Sequence, residues 1–133
     1  MQLTPYLMFN GNCEEALNFY CVTIGGEIKS LSRYEGTPDE SMDNHHEKVM
    51  HATFEGRGIT LLASDGTGNE TTSGNIHLCL DFKDISAMEN VFNALSQGGT
   101  ITMPLEDTFW GARFGMLTDK FGIKWMFNGD IQE

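Results

Sequence analysis

Residues 92–101, Phe-Asn-Ala-Leu-Ser-Gln-Gly-Gly-Thr-Ile, repeat the spacing of residues 19–28, Phe-Tyr-Cys-Val-Thr-Ile-Gly-Gly-Glu-Ile. In both stretches a phenylalanine lies seven residues before the second glycine of a Gly-Gly pair, and an isoleucine follows two residues after it. A second match comes later in each half, where residues 58–62, Gly-Ile-Thr-Leu-Leu, correspond to residues 122–126, Gly-Ile-Lys-Trp-Met. Because similarity at a fixed offset is the mark of a repeat, the chain is predicted to contain an internal duplication.

Each half is predicted to begin with a strand and a helix and to continue with three strands. The helix of the second half is the clearer one, because Met88, Val91, Phe92 and Leu95 recur at helical spacing. A capping box of Ser86 with Glu89 is expected to start it.

The helix of the first half is predicted over Cys13–Thr23 and is expected to end at Gly25-Gly26. Its capping box pairs Asn12 with Glu15. Its apolar stripe is expected to contain Ala16, Phe19, Tyr20 and Thr23.

Alternating and apolar runs predict eight strands, four in each half. In the strand over 48–55, Met50, Ala52 and Phe54 are expected on one face and His51 and Thr53 on the other. A polar loop over 35–47 is expected to be mobile and to border a groove, and residues 64–74 are predicted to form a linker. The predicted strands are 3–9, 28–34, 48–55, 59–63, 76–82, 100–105, 112–118 and 123–127.

Two βαβββ modules, residues 1–66 and 75–133 in rough bounds, predict one α+β domain. Neither module can bury its sheet face alone. Pairing the modules would give a curved mixed sheet with helices outside and a concave groove inside, a suitable place for a small molecule.

Composition narrows the possible partners of this 133-residue chain. A net charge of −11 repels phosphate backbones, so nucleic acid and anionic membranes are poor partners. No stretch approaches the length of a membrane helix, and the N-terminal residues lack the features of an export signal. The odd number of cysteines, Cys13, Cys21 and Cys79, without a C-x-x-C spacing, indicates reduced packing residues in a cytoplasmic protein.

This layout resembles the vicinal oxygen chelate superfamily of glyoxalase I, bleomycin-resistance proteins and extradiol dioxygenases, and more closely its PhnB-like branch. The likeness runs nearly end to end, and the order and spacing of its motifs are specific. It implies a glyoxalase-like fold and a homodimer. The motifs are Pro5-Tyr6-Leu7, Gly11-Asn12, Glu15-Ala16-Leu17, Phe19-Tyr20, Gly25-Gly26, Met50-His51-Ala52, Ser64-Asp65, Phe109-Trp110-Gly111, Gly115, Asp119, Phe121-Gly122 and Trp125.

The resemblance also implies where a metal ion would be bound. In the metal-dependent members, four His, Gln or Glu side chains from four strands hold a divalent ion. The corresponding positions here are Pro5, Leu62, His77 and Met126. Only His77 suits a hard or borderline ion, since Pro5 and Leu62 have no donor and a thioether is soft. We therefore expect no metal and no cofactor at this site.

A different metal site would use His45, His46, Glu47 and His51, because short histidine runs can capture zinc or nickel. The simpler interpretation of these residues is a solvated loop in front of a strand, and we favour it because a polar loop rarely supplies the supporting hydrogen bonds that metal ligands need.

Six residues are predicted to line the groove and bind a ligand. His51 and His77 lie on the more polar face of alternating strands, where each could act as a general base, donate a hydrogen bond to a ligand, or be a half-buried structural histidine. Trp110 could cover an apolar ligand or pack at a dimer seam, and Arg113 could hold a carboxylate or pair with an acidic residue. Leu62 and Met126 complete the set.

Two functions follow from this pattern. The favoured one is a binding module that holds an apolar or aromatic molecule, as the drug-sequestering relatives do. The alternative is an enzyme, either a metal-dependent lyase, isomerase or dioxygenase, or the 3-demethylubiquinone-9 3-methyltransferase that some members of the branch are named for. No glycine-rich turn of the kind that holds a nucleotide-like cofactor stands between a predicted strand and helix.

Overall fold

The structure is a computed structural model that describes residues 1–34, 47–71 and 74–131. Within these ranges the chain forms the predicted order of elements, strand–helix–three strands, twice. A short π-helical turn, Cys21–Gly25, extends the first helix. The elements are β1 Tyr6–Phe9, α1 Cys13–Tyr20, β2 Glu27–Arg33, β3 Val49–Gly56, β4 Ile59–Asp65, β5 Leu78–Phe82, α2 Ile85–Leu95, β6 Thr100–Asp107, β7 Ala112–Thr118 and β8 Lys124–Asp130.

The chain divides into two compact units, Met1–Thr71 and Thr72–Glu133, each with its own sheet. The strand orders are β1-β4-β3-β2 and β5-β8-β7-β6, so the two units share one topology. In each sheet the first strand pairs in parallel with the last, and the remaining pairs are antiparallel. The α+β duplication is therefore confirmed, although the strands form two four-stranded sheets where the sequence predicts one curved sheet.

In the first unit, α1 covers one face of its sheet. Cys13, Ala16, Leu17 and Tyr20 are fully buried, whereas Phe19 and Thr23 are only half-buried. The predicted stripe is thus only partly buried at these two positions. At Thr23 the reason is that the turn after Tyr20 has π geometry, which changes the angular spacing of its residues. The sheet contributes Ala52, Phe54, Leu61 and Ala63 to this core.

In the second unit, α2 packs as predicted, with Met88, Val91, Phe92 and Leu95 buried. Phe92 meets Phe127 edge to face at a centroid distance of 5.0 Å. Two glycines allow this close approach of helix and sheet. A Cβ at Gly115 would collide with Leu105 and crowd Phe92, and a Cβ at Gly129 would meet Ile85 and Met88. Trp125 is also buried.

A β-bulge corrects the predicted alternation of β3. Ser32 pairs with His51 and Arg33 with Val49, so Met50 is an extra residue on this strand. The extra residue shifts the phase, and Val49 and Ala52 are both buried while Met50 is exposed. The prediction that Met50 joins the core face is therefore wrong.

Neither helix begins with the predicted capping box. At α1 the Asn12 side chain makes no capping hydrogen bond. At α2 the N-cap is Asp84, whose Oδ1 accepts from the backbone N–H groups of Ser86 and Ala87. A capping box needs both side chains in place, and Glu89 instead forms an ion pair with Arg113.

Several predicted boundaries move by a few residues. Strand β4 extends through Asp65 into the predicted linker. Strand β5 starts at Leu78, so Ile76 is exposed and lies outside it, contrary to prediction. Most of the predicted mobile loop, including His45 and His46, lies outside the described residues.

Candidate functional site

Each sheet has one face that its own helix does not cover, and we call it the open face of that unit. On the first sheet, Tyr6, Leu62 and Thr53 stand in one row of paired positions, opposite in phase to the buried Leu61 and Ala63. Strand residues alternate between faces, so this row projects away from α1. Tyr6 is 46% exposed and its neighbour on the same face, Met8, is 48% exposed. The open face is thus apolar and accessible.

His51 is the polar centre of this open face. Its Nδ1 lies 3.5 Å from the hydroxyl of Tyr6, and the two rings are 5.9 Å apart. The imidazole is half-buried on the face of Thr53. An imidazole and a phenol beside exposed apolar side chains form a suitable anchor for a ligand that combines a ring with a polar group. Tyr6 was not among the site residues predicted from the sequence.

The open face of the second unit carries methionine side chains and a phenylalanine. Met116 and Met126 are paired neighbours on it, and Phe114 pairs with Asn128 one row further on. The Asn128 amide donates to Asp81 Oδ1 at 3.1 Å. The face therefore joins an apolar patch to a polar row, and Met126 lies in that patch.

His77 is half-buried and lies one residue before β5. The sequence predicts a groove-facing His77 from strand alternation, but His77 lies outside the strand. The alternation reaches it only if the phase of Cys79 in β5 is continued by two residues. The structure places Leu62 and His51 together on the first sheet and Met126 on the second. Whether His77 binds a ligand stays a prediction.

Arg113 is on the helix-facing side of β7, with the phase of Gly115 and Leu117 rather than that of Met116. Its guanidinium forms ion pairs with Glu89 of α2 and with Asp107 of β6, where Nε lies 2.8 Å from Oδ1. These carboxylates raise the pKa of Arg113, with the Asp107 hydrogen bond as the largest cause. Of the two interpretations made from the sequence, the structure therefore shows Arg113 paired with acidic residues of its own unit.

Trp110 lies in the β6–β7 connection beside Phe109, and their rings meet edge to face at 5.0 Å. Trp110 is 57% exposed and Phe109 is 97% exposed. Both interpretations made from the sequence, a ligand cover and a dimer seam, remain open for such an exposed aromatic pair.

Two buried carboxylates are the clearest polar features that the sequence prediction left without a role. Asp65 Oδ1 accepts from the Cys13 N–H at 2.9 Å, and Oδ2 accepts from the Val49 N–H at 2.8 Å. Asp119 accepts from two backbone N–H groups of the β7–β8 turn and from Trp125 Nε1 at 2.8 Å. Both carboxylates hold backbone in place, and the signal for this role is an Asp at the end of a strand in each half.

The donor chemistry does not suit a hard divalent ion at the four positions that the family resemblance implies. Pro5 and Leu62 offer no side-chain donor, and the Met126 thioether is soft. Among the described residues, His, Cys, Asp and Glu side chains form no group of three or more that is arranged to hold a metal ion. We therefore derive no chemistry through such an ion.

The two βαβββ units with open sheet faces define a class of fold. A glyoxylase/bleomycin resistance protein/dioxygenase domain from Frankia sp. EAN1pec superposes on the chain with a TM-score of 0.70, covering 98% of this chain and 92% of that one. With 11% sequence identity, the likeness concerns the fold alone. The chain is a glyoxalase-like α+β protein.

Sequence comparison gives the family. Residues 1–127 match the family described as 3-demethylubiquinone-9 3-methyltransferase. The chain belongs to this family, the PhnB-like branch of the vicinal oxygen chelate superfamily.

Individual relatives are similar over nearly their whole length. Protein YjdN of Escherichia coli is 32% identical over 96% of this chain and 95% of its own. Protein PA1353 of Pseudomonas aeruginosa is 39% identical, with a TM-score of 0.84 and coverage of 98% of both chains. A Bacillus cereus PhnB protein, also named for 3-demethylubiquinone-9 3-methyltransferase, is 32% identical, with a TM-score of 0.81 and coverage of 97% of this chain and 99% of that one.

Proposed function

We propose that the chain is a cytoplasmic small-molecule-binding protein whose ligand is an apolar or aromatic compound held against the open face of the first unit. The observation that carries the proposal is the open face of the first unit. There, accessible Tyr6 and Met8 flank Leu62, next to the His51–Tyr6 pair. Small-molecule sites combine such an apolar surface with a few polar groups that fix orientation.

His51 is the proposed polar anchor on the first unit, and His77 is proposed as a ligand-binding residue of the second unit. Among the described residues, the hydrogen-bond partner of His51 is the Tyr6 hydroxyl at 3.5 Å, a distance too long for a strong hydrogen bond. A ligand acceptor or donor can therefore compete for the imidazole at low cost. In the second unit, we infer that His77 projects from the open face and can bind a ligand there, because it continues the phase of Cys79 on the open side of β5.

Binding is favoured over catalysis by the chemistry of the available groups. The positions implied for a catalytic ion carry one hard or borderline donor, His77. The family is described as a methyltransferase, and such an enzyme would have to bind a nucleotide-like methyl donor. The two strand-to-helix connections, residues 10–12 and 83–84, hold one glycine between them and thus lack the glycine-rich turn that binds nucleotide-like cofactors.

A thermal-shift screen of apolar and aromatic compounds tests the proposal. A ligand at 100 times its dissociation constant should stabilise the protein by about 2.7 kcal/mol. His51→Ala and Leu62→Ala should then weaken the hit while the unliganded proteins unfold cooperatively. Asn18→Ala, an exposed change on α1, is the matched control and should leave affinity unchanged.

Two results would contradict the proposal. One is a full screen without a stabilising compound. The other is a hit whose affinity is insensitive to both open-face variants. For His77→Ala, the expected result is weaker binding with nearly intact stability. A loss of about 1–3 kcal/mol with unchanged affinity would instead identify a structural histidine.

A further inference from the structure

Four sulfur-bearing side chains stand in one row across the second sheet. Cys79 pairs with Met126, Met126 with Met116, and Met116 with Met103, so that each of the four strands contributes one residue. We call these four residues the sulfur row. They occupy one face, because directly paired residues of neighbouring strands project to the same side.

The row lies on the open face and is accessible. Trp125 and Phe127, which flank Met126 along β8, are buried against the helix side. Cys79 and Met103 are exposed, and Met116 and Met126 are half-buried. All three cysteines of the chain are free thiols, and Cys79 is the most exposed of them.

The spacing of the row suits joint ligation of one ion. Neighbouring strands lie about 4.8 Å apart. Two sulfurs on opposite sides of a metal lie about 4.6 Å apart if each bond is about 2.3 Å, the length of a Zn–S bond. Cys79 and Met116 stand two strand spacings apart, about 9.6 Å, on either side of Met126. The long, flexible methionine side chains would bend toward the Cys79 thiol to bring three sulfurs to a common ion.

The donor set selects the class of metal. Thioethers are neutral, soft ligands, and a site of one thiol and two or three thioethers favours Cu(I) over hard or borderline divalent ions. The overall charge of −11 also favours a cation near the surface.

We propose that Cys79, Met116 and Met126, with Met103 at the margin, form a binding site for a soft monovalent metal ion, Cu(I). On binding, the Cys79 sulfur exchanges its proton, which passes to solvent, for a bond to the metal, while the thioethers bind as neutral donors. No oxidation or reduction occurs at the protein. The sulfur row belongs to the second unit, whereas His51 belongs to the first, and its metal ligands are sulfur atoms.

Anaerobic titration with Cu(I), against a coloured Cu(I) chelator as competitor, tests the site. The intact chain should withdraw one equivalent of Cu(I) from the chelator. Cys79→Ser and the double variant Met116→Leu/Met126→Leu should each weaken binding by at least roughly tenfold, the loss seen when even an outer-shell partner of a ligand is removed. Leucine keeps the size and apolarity of methionine, so the double variant removes the sulfurs alone.

Matched controls are Cys21→Ser and Met8→Leu, which change a thiol and an exposed thioether of the first unit. Both should retain wild-type Cu(I) affinity. Undiminished Cu(I) binding in Cys79→Ser and in the double leucine variant would overturn the proposal, as would the absence of competition with the chelator. Urea unfolding of each variant separates lost ligation from lost folding.

Variants of the first unit distinguish this site from the proposed small-molecule function. Leu62→Ala should weaken the binding of an apolar compound and retain wild-type Cu(I) affinity, because Leu62 lies on the first sheet and outside the sulfur row. His51→Ala should retain Cu(I). Failure of one proposal therefore leaves the other standing.

Discussion

Asp119 shows how a single side chain organises a turn. Its carboxylate is buried and accepts three hydrogen bonds, from the N–H groups of Phe121 and Ile123 and from the Trp125 indole. Gly122, between them, has a φ of +89°, which a residue with a side chain adopts at a cost. One acid thus fixes both the β7–β8 turn and the rotamer of the largest core residue.

Asp119→Ala is expected to lower the free energy of unfolding by at least about 1–3 kcal/mol, because the buried Trp125 Nε1 loses its acceptor. Urea titration measures the change. Asp107→Ala removes a carboxylate that is 56% exposed and is expected to cost about 1 kcal/mol or less. Equal losses in the two variants would mean that Asp119 does not hold the turn.

Cys13 couples stability to pH. Burial raises the pKa of its thiol from 9.0 to about 12, and the nearby carboxylates of Asp65 and Glu14 add to the rise. In the unfolded chain the thiol ionises near 9.0, so ionisation favours unfolding above that pH. The stabilisation is therefore fully present below about pH 9 and is lost as the pH rises from 9 toward 12.

Cys13→Ala should flatten this alkaline loss of stability. The free energy of unfolding, measured by urea titration on both sides of pH 9.0, should fall more steeply in the wild type, by up to about 1.4 kcal/mol per pH unit. Cys21→Ala is the control. Burial is also the main cause that raises the pKa of Cys21, but Cys21 is less buried than Cys13. Identical pH profiles for the wild type and Cys13→Ala would contradict the coupling.

At the scale of elements, the backbone conformation decides where α2 begins. The capping-box pattern in the sequence points to Ser86, whereas the N-cap is Asp84. Asp84 and Ser86 are both good N-cap residues, two positions apart. Asp84 has the extended backbone, with φ −106° and ψ 112°, that aims its side chain at the first free N–H groups. Strand β5 ends at Phe82, and the short connection leaves Asp84 in the capping position.

Asp84→Ala is therefore expected to destabilise the second unit by about 0.5–2 kcal/mol, the usual cost of losing a cap. Ser86→Ala, at the position that the capping-box pattern favours, should be within about 0.5 kcal/mol of the wild type. Thermal unfolding followed by circular dichroism compares the two. A larger loss for Ser86→Ala would restore the predicted capping box.

At the scale of the whole molecule, the chain repeats one topology in two units and leaves an aromatic pair at the surface. Phe109 and Trp110 are exposed in the β6–β7 connection. Apolar side chains of this size favour burial against another surface, and twofold dimers are the commonest assembly.

A homodimer is expected, with a sedimentation-equilibrium mass twice the 14.8 kDa of one chain. Replacing both aromatic residues, Phe109→Ser with Trp110→Ser, should weaken self-association because it removes apolar area. Val22→Ser, an exposed apolar residue of the first unit, is the control. A monomer at micromolar concentration would contradict the expectation.

The amino-acid sequence alone was sufficient to predict the duplication, the order of the elements and the buried face of α2. Those features depend on the periodicity of apolar residues and on the spacing of glycines. Both are relations between residues that are close together in the chain, so they can be recognised without knowing the tertiary structure. The stripe of Met88, Val91, Phe92 and Leu95 is buried as its spacing predicts.

Only the tertiary structure decided how residues distant in sequence meet. The Met50 bulge depends on the register of β3 against β2, and Arg113 faces α2 because β7 presents that phase to the helix. The His51–Tyr6 pair joins residues 45 positions apart, and the sulfur row draws on four strands. Strand pairing sets these neighbours, and a one-residue shift of register would send each of them to the other face.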